Sequence, residues 1–216
     1  MFKPLRILQS AAFAVAGLGL ATLAAADNLV EGQHYEKLPE PIETSAGGDR
    51  VEVTEVFWYG CPHCYNLEEP LNAWVAEQPE DVAFNRMPAT MGGDWNTHAM
   101  MFYAAEELGI REDAHDDIFH AIHEEGQRLN DADSIARFFS KYDVSEEEAR
   151  QALDAFGVKA QVNKAHARMR AMRLMGVPAL VVDGRYLVTP SSAGSLENMP
   201  QVAGALVERV RQERTD

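Results

Sequence analysis

The feature that most constrains this chain is a pair of cysteines, Cys61 and Cys64, placed where the hydrophobic pattern changes. Residues 51–58, just before the pair, are rich in Val, Phe and Trp and predict a buried β-strand. After the pair, apolar residues recur at helical spacing: Tyr65, Leu67, Leu71, Trp74 and Val75. Pro62 suits the first position of that helix, so Cys61 takes the N-cap. A Cys-x-x-Cys at a strand-to-helix junction is a redox signature.

The chemistry expected at this junction is that of a stabilised thiolate. The free amides and the macrodipole at a helix N-terminus favour negative charge, so we expect a lowered pKa for Cys61. His63 adds positive charge when it is protonated, and Pro62 fixes the turn. Cys64 lies one turn further along, where it can attack a mixed disulfide. Each unit by which the Cys61 pKa lies below ambient pH favours the reduced form by about 1.4 kcal/mol, or about 30 mV.

Two other uses of the cysteine pair stay open at this point. A structural zinc site usually needs four Cys or His ligands, and the chain has only these two cysteines. An inert structural disulfide would close so short a loop that it would constrain the unfolded chain little. Redox chemistry therefore explains the pair better than either alternative.

The N-terminal segment has the pattern of a secretory signal. Lys3 and Arg6 precede an apolar run over residues 7–23, and an A-x-A cleavage pattern ends at Ala26. We predict a signal peptide over residues 1–26 and an exported, soluble mature chain; an uncleaved membrane anchor is the alternative. Export permits disulfide chemistry. The formal net charge of −15 argues against a nucleic-acid partner, because phosphate binding needs Lys and Arg.

The rest of the chain alternates between strand and helix patterns. Further strands are predicted over residues 34–38, 82–87, 179–182 and 186–188. Further helices are predicted over residues 95–108, 112–125, 133–142, 145–157, 158–175 and 199–211. Asp183 and Gly184 between the last two strands are a strong hairpin signal. A βαβ start, a block of helices and a ββα finish predict an α/β fold with a small mixed sheet and a helical insertion.

The segment from Glu55 to Glu69, with Cys-Pro-His-Cys at its centre, resembles the active site of the DsbA family of periplasmic thiol:disulfide oxidoreductases, within the thioredoxin superfamily. Gly176-Val177-Pro178-Ala179 resembles the cis-proline loop of thioredoxin-fold proteins. Met91-Gly92-Gly93-Asp94 resembles the stretch before the helical insertion of the family. The resemblance covers essentially the whole mature chain, with its motifs in the order of the family.

The resemblance implies a thioredoxin fold, with a central mixed sheet flanked by helices and an inserted all-helical domain. The expected boundaries are residues 27–94 and 165–216 for the two parts of the thioredoxin-like domain and residues 95–164 for the insertion.

The resemblance also implies a mechanism. A thiol of an unfolded exported polypeptide attacks the Cys61–Cys64 disulfide, forms a mixed disulfide at Cys61 and is resolved by a second substrate thiol. A quinone-linked membrane partner resembling DsbB then reoxidises the protein in the periplasm. We expect a monomer that needs no metal and no organic cofactor.

The resemblance assigns roles to residues outside the motif as well. The Val177–Pro178 bond is expected to be cis, against the base rate for X-Pro bonds, which would free the Val177 backbone to pair with an extended substrate. Glu55 would be a buried acid beneath Cys64 that passes protons, with a solvated position at the sheet edge as the alternative. Glu68 also matches an acid of the family, and a solvated helix face is an equal alternative.

Two further groups of residues have competing interpretations. One predicted helix carries three histidines: His115, His120 and His123. His120 and His123, three positions apart, share one face of the helix and suggest a metal site, but a solvated helix face is expected because no third ligand is clearly placed beside them. A stripe of methionines leads toward Pro178: Met169, Met172 and Met175. Core packing and an adaptable substrate groove are equal alternatives for this stripe.

Two functions other than oxidation are alternatives for this chain. A disulfide isomerase or reductase usually needs a dimer or a reducing partner, and residues 27–51 are too few for a separate dimerisation domain. A non-enzymatic chaperone or binding module on the same fold is the third hypothesis.

Overall fold

A five-stranded mixed sheet forms the centre of the computed structural model, which describes residues 28–47 and 50–215. The strands are β1 (Glu36–Lys37), β2 (Val51–Phe57), β3 (Val82–Pro88), β4 (Ala179–Val182) and β5 (Tyr186–Val188). Their order across the sheet is β1-β5-β4-β2-β3, in which only β2 and β3 are parallel. The predicted signal peptide, residues 1–26, lies outside the described residues.

The helices are α1 (Pro62–Ala76), α2 (Asp94–Glu107), α3 (Arg111–His123), α4 (Ala132–Phe139), α5 (Glu146–Asp154), α6 (Phe156–Met172), α7 (Pro190–Ala193) and α8 (Asn198–Thr215). A 3₁₀ turn, Ser140–Tyr142, follows α4. Helices α2 to α6, which we call the helical block, lie between β3 and β4 in the chain, as the sequence pattern predicts. The expected domain boundary between residues 164 and 165 falls inside α6, and the boundaries remain a prediction. Within the described ranges, no helix is long and apolar enough to cross a bilayer.

Strand β2 is buried along its whole length and joins three apolar clusters. Val53 packs with apolar residues of α1 and α8, and Val56 packs with those of α6. Phe57, at the end of the strand, packs with the helical block and with both cysteines. Since side chains alternate between the faces of a strand, helices pack on both faces of β2. The segment after Phe57, which includes both cysteines, lies next to the helical block.

Several predicted helix ends differ from the observed ones: α8 continues four residues past the predicted end to Thr215, and α5 and α6 each end three residues early. Helix α5 ends at Asp154 and the chain breaks at Ala155, whose ψ is 140°, rather than at Gly157. Helix α6 ends at Met172, because Arg173 takes a left-handed conformation with φ 53° and its N–H bonds to the carbonyls of Arg170 and Met169. A glycine marks a favourable stop, but packing of the following segment decides where the chain leaves the helix.

The predicted hairpin turn is confirmed at Asp183 and Gly184. Their φ angles are 53° and 62°, and two consecutive positive φ angles are typical of a type I′ turn. The Ile42 N–H donates to the Gly184 carbonyl at 2.8 Å, which ties the segment before β2 to the hairpin. A Cβ on Gly184 would lie only 2.2 Å from the Ile42 carbonyl oxygen.

We expect Gly184→Ala to destabilise the protein more than Gly194→Ala. Gly194 also has a positive φ, 83°, but a Cβ there would have no neighbour within 4 Å. Gly194→Ala therefore measures the backbone penalty alone, on the order of 1 kcal/mol. The Gly184 variant adds a backbone clash with Ile42. Urea unfolding midpoints of the two variants, compared when their m-values are equal, give the difference in lost stability. Equal losses would show that the contact with Ile42 adjusts without cost.

Candidate active site

Cys61 and Cys64 lie at the start of α1 with both thiols free. Cys61 is the N-cap, with φ −93° and ψ 114°, and its Sγ accepts a hydrogen bond from the Cys64 N–H at 3.3 Å. Pro62 occupies the first helical turn, where the absence of an N–H leaves no intrahelical bond unmade. Cys61 is 7% exposed and Cys64 is 0% exposed. The predicted N-cap position of Cys61 is confirmed, and it makes Cys61 the more accessible sulfur.

The two thiols have opposite pKa shifts. The pKa of Cys61 falls from its ordinary value of 9.0 to about 6, first because of the hydrogen bond from the Cys64 thiol and then, against a burial penalty, because of the backbone N–H groups of Cys64 and His63 and the charge of His63. Burial and the hydrogen bond to Cys61 raise the pKa of Cys64. At neutral pH the pair therefore holds one anion, on Cys61, and one proton, on Cys64.

The lowered pKa of Cys61 predicts that the reduced protein is stabilised as pH rises. The folded thiol ionises near pH 6 and the unfolded thiol near pH 9.0, so stability is gained between these values and lost as pH falls back toward 6. The expected slope is about 1.4 kcal/mol per pH unit. Urea unfolding of reduced protein across this range measures it, with the oxidised protein as control because it has no thiol to ionise. Parallel pH profiles for the two forms would contradict the lowered pKa.

The predicted cis-proline loop lies against Cys61. The Val177–Pro178 peptide bond is cis, which confirms the expectation from the resemblance. Cys61 Sγ lies 3.8 Å from the Val177 carbonyl oxygen, to which the thiol donates when it is protonated. Pro178 is buried, whereas His63 is exposed on the first turn of α1. The fold thus brings Cys61, Val177 and Pro178 together across more than a hundred positions of sequence.

Two carboxyl groups share one guanidinium beneath this site. Glu55 Oε2 lies 3.1 Å from Arg86 Nε, and Glu68 Oε2 lies 3.0 Å from Arg86 Nη2. We call Glu55, Glu68 and Arg86 the acid cluster. Glu55 is 0% exposed and Glu68 is 7% exposed, so the solvated alternatives for both residues are wrong. The parallel register of β2 and β3 pairs Glu55 with Arg86 directly, and α1 lays Glu68 over them.

The two carboxyl groups differ in their affinity for a proton. Burial and the charge of Glu68 raise the pKa of Glu55 well above its usual range, and Arg86 only partly offsets them. Burial also raises the pKa of Glu68, but His115 and Arg86 outweigh it and hold that pKa below its usual range. The charge of Glu55 in turn contributes to the raised pKa of Cys64. Of the two carboxyls, Glu55 therefore binds a proton more readily than Glu68, and the acid cluster is coupled electrostatically to the dithiol.

Sequence reasoning did not find Arg86. Its one signal was a lone cation inside a strand pattern, and that signal had meaning only with the β2–β3 register known. The Asn72 side chain also accepts from Arg86 Nη2, at 2.5 Å, so the guanidinium of this β3 residue is held by side chains of β2 and α1.

The three histidines of α3 have separate surroundings. His115 is buried and its Nδ1 lies 2.9 Å from the Tyr59 hydroxyl, so the expected solvated face is wrong for this residue. His123 Nε2 donates to the Tyr59 carbonyl at 2.8 Å and its ring stacks on Tyr65. His120 is exposed beside Glu125, as expected. Helix α3 thus packs its His115 side against the thioredoxin-like part rather than gathering the three rings.

A group of potential metal ligands lies between α1 and α3. Ligand atoms of Glu68, His115 and Asp116 lie within 4.8 Å of one another. The Arg86 guanidinium is bonded to the same Glu68 carboxylate, and its positive charge opposes a metal cation there. This charge disfavours a metal at Glu68, in line with the expectation that the protein needs none. That expectation, like the one of no organic cofactor, stays a prediction.

The methionine stripe divides between the two interpretations. Met169 and Met172 are buried in the cluster formed by α6, β2 and β4, as core packing predicts. Met175, two residues before Val177, is 91% exposed. An exposed thioether beside the Pro178 loop fits the adaptable groove, which stays a prediction for this residue alone.

A dithiol at the start of the first helix after a central strand, facing a cis-proline loop, defines a thioredoxin-fold thiol:disulfide oxidoreductase. Residues 52–206 match the family described as the DSBA-like thioredoxin domain. The chain belongs to the DsbA family.

Named relatives and solved structures agree with this assignment. The thiol:disulfide interchange protein DsbA of Azotobacter vinelandii is 38% identical over 205 residues, which cover 95% of each chain. The protein of the same name from Pseudomonas aeruginosa is 38% identical over 206 residues, covering 95% of this chain and 96% of its own. The crystal structure of Pseudomonas aeruginosa DsbA superposes with a TM-score of 0.83 at 37% identity, covering 88% of this chain and 99% of that one. DsbA from Xylella fastidiosa gives 0.81 at 33% identity, covering 85% and 98%.

Proposed function

We propose that this protein is a periplasmic dithiol oxidase that donates its Cys61–Cys64 disulfide to newly exported, unfolded polypeptides. The observation that carries the proposal is the Cys61 thiol at the helix N-cap against the cis-proline loop, with a lowered pKa that stabilises the reduced form of the protein. A disulfide whose reduced form is stabilised is a strong oxidant, because the protein gains free energy when it accepts two electrons. The relatives named DsbA support the same activity.

The first step is attack on the more accessible sulfur. A substrate thiolate attacks Cys61 Sγ, the Cys61–Cys64 bond breaks, and its electron pair goes to Cys64 Sγ. Because the pKa of Cys64 is raised, this leaving thiolate needs a proton. Glu55 is the buried acid that supplies it, and its raised pKa keeps it protonated beforehand. The products are a mixed disulfide at Cys61, a neutral Cys64 thiol and a Glu55 carboxylate that regains its proton from solvent.

The second step releases the product. A second substrate thiolate attacks the substrate sulfur of the mixed disulfide, the bond to Cys61 breaks and Cys61 leaves as a thiolate. A pKa of about 6 makes it a good leaving group at neutral pH. The Val177 backbone, already in contact with Cys61, pairs with the extended substrate around its cysteine as an added strand would. Pro178 and His63 complete the site, Pro178 by shaping the loop and His63 by its charge.

Turnover needs an acceptor for the two electrons left on the dithiol. We propose a quinone-linked membrane partner similar to DsbB, reached from the periplasm after removal of the signal peptide. The protein acts as a monomer, and its redox group is the Cys61–Cys64 pair itself, without a metal or organic cofactor.

The redox equilibrium with glutathione tests the oxidase function. We expect a potential in the range of DsbA, about −120 mV, and rapid oxidation of a reduced, unfolded protein by stoichiometric oxidised enzyme. Thiol loss in the substrate and reduction of Cys61–Cys64 are measured together by mass spectrometry after acid quench. A potential near that of thioredoxin, about −270 mV, would overturn the oxidase function and favour a reductase. Faster repair of a wrongly paired substrate than oxidation of a reduced one would favour an isomerase.

A further inference from the structure

The helical block inserts one ionisable side chain into the acid cluster. His115 of α3 has 6% of its side chain exposed, and its Nε2 lies 3.4 Å from Glu68 Oε1. Neither of these two buried atoms has a hydrogen-bond partner of normal geometry, and they lie within ion-pair distance of each other. This distance is too long for a normal hydrogen bond and makes the contact chiefly electrostatic.

The charges around His115 and Glu68 come from several elements. They are Glu55 of β2, Tyr59 of the β2–α1 loop, Cys61 at the start of α1, Arg86 of β3, and Arg111, Glu112 and Asp116 of α3. Arg111 pairs with Glu112 and Glu106 at the surface, so it does not neutralise the buried carboxyls. Glu55 and Glu68 therefore share a single buried guanidinium, and two carboxylates beside one cation cannot both stay ionised cheaply.

We propose that His115 is a positioning residue that keeps Glu68 ionised, so that Glu55 is the carboxyl that holds the buried proton beside the dithiol. This inference rests on the proposed oxidase function and specifies how its proton donor is selected. The helical block thereby sets the protonation of a cluster whose other members all belong to the thioredoxin-like part.

A contact with Tyr59 orients the His115 ring toward Glu68. The Tyr59 hydroxyl lies 2.9 Å from His115 Nδ1 and can donate to a neutral ring or accept from a charged one. Tyr59 thus holds the imidazole in place in either state, while Nε2 stays directed at Glu68. Edge-on contacts from the Phe57 and Phe119 rings at 5.2 Å and 5.3 Å exclude water from the other sides of the ring.

The location of the proton decides whether it can serve Cys64. Glu55 is the carboxyl whose charge acts on the Cys64 thiol, whereas the charge of Glu68 is stabilised by His115 and Arg86. If Glu68 took the proton, Glu55 would be left as a buried carboxylate, which opposes formation of the Cys64 thiolate and cannot protonate it. Loss of the imidazole therefore misplaces the proton without touching either cysteine.

Infrared spectroscopy of the carboxyl groups tests the inference. In the reduced wild-type protein at neutral pH we expect one band from a buried protonated carboxyl, which disappears in Glu55→Gln. In His115→Asn we expect the proton to divide between the two carboxyls, so that the Glu55 band weakens and a second band, from Glu68, appears; this second band should disappear when Glu68→Gln is added. The titration midpoint of Glu68 should rise by about one pH unit or more. A His115→Asn spectrum identical to that of the wild type would overturn the inference.

The matched control is His123→Asn. His123 lies two turns along the same helix and also bonds to Tyr59, but through the Tyr59 carbonyl and with its ring on Tyr65. This variant should keep the single wild-type band.

If His115→Asn fails to fold, carbon-13 NMR of the wild-type carboxyls decides: Glu55 protonated with Glu68 ionised supports the inference, and the reverse overturns it. These spectra require no turnover. They therefore test the role of His115 even if the oxidase assay shows no activity.

Discussion

Cys61→Ala is expected to reduce thiol oxidation to background, and Cys64→Ala is expected to form a mixed disulfide that persists. Cys61 is the accessible sulfur and the one whose thiolate the helix N-terminus stabilises. Without it no substrate bond can form. Without Cys64, a Cys61 thiolate that attacks a disulfide-containing peptide has no second enzyme thiol to release it. Non-reducing electrophoresis and mass spectrometry of the adduct measure both outcomes.

Cys61→Ser separates the loss of redox chemistry from the loss of the helix cap. A serine hydroxyl also accepts from a first-turn N–H, and replacing such a cap by Ala costs about 1 kcal/mol. Both Cys61 variants should be inactive, but only the Ala variant should lose that stability relative to the reduced parent at low pH, where the thiolate is absent. Substrate refolding assisted as well by Cys61→Ala as by the wild type would instead favour the non-enzymatic chaperone.

Arg86→Met is expected to cost about 3–5 kcal/mol of folding free energy, the range for removing one partner of a buried ion pair. The Arg86 side chain is 17% exposed and contacts two carboxyls that are nearly or fully buried. Without it, Glu68 loses one of the two groups that lower its pKa, and Glu55 loses the group that limits the rise of its own. Urea unfolding at neutral pH measures the loss.

The pH dependence of this variant has a defined sign. In the wild type, the lowered pKa of Glu68 adds stability above its unfolded pKa, and that stability disappears as pH falls through the folded pKa. In Arg86→Met the folded pKa of Glu68 rises. The difference in unfolding free energy between the variant and the wild type should therefore grow as pH increases and shrink as pH decreases. Adding Glu68→Gln should recover part of the loss.

Arg150→Met is the matched control for Arg86→Met. Arg150 also bridges two carboxyls, Asp133 and Glu146, but at the protein surface, where ion pairs contribute little. Its unfolding midpoint should stay near that of the wild type. Equal effects of the two substitutions would show that burial of the acid cluster carries no energetic weight.

The features that the sequence predicts well are those with a local cause. Pro62 and the Cys-x-x-Cys spacing place Cys61 at a helix start because the N-cap depends only on the few residues that follow it. The turn at Asp183 and Gly184 is equally local, and it is present. The cis bond before Pro178 is not local in this sense: base rates favour trans, and family resemblance supplied the prediction.

The acid cluster and its histidine could not be predicted in the same way. A polar residue on a predicted helix is expected to face solvent because of its type. This expectation is wrong for His115, and for Glu68 the sequence favours neither burial nor exposure. Their burial depends on the β2–β3 register that pairs Glu55 with Arg86 and on the packing of α1 and α3 over that pair. The sequence by itself determined where a thiolate could be stabilised, because helix starts and turns are set by neighbours in the chain. Only the tertiary structure decided which charges surround it, because burial and pairing of charges depend on contacts between segments that are distant in sequence.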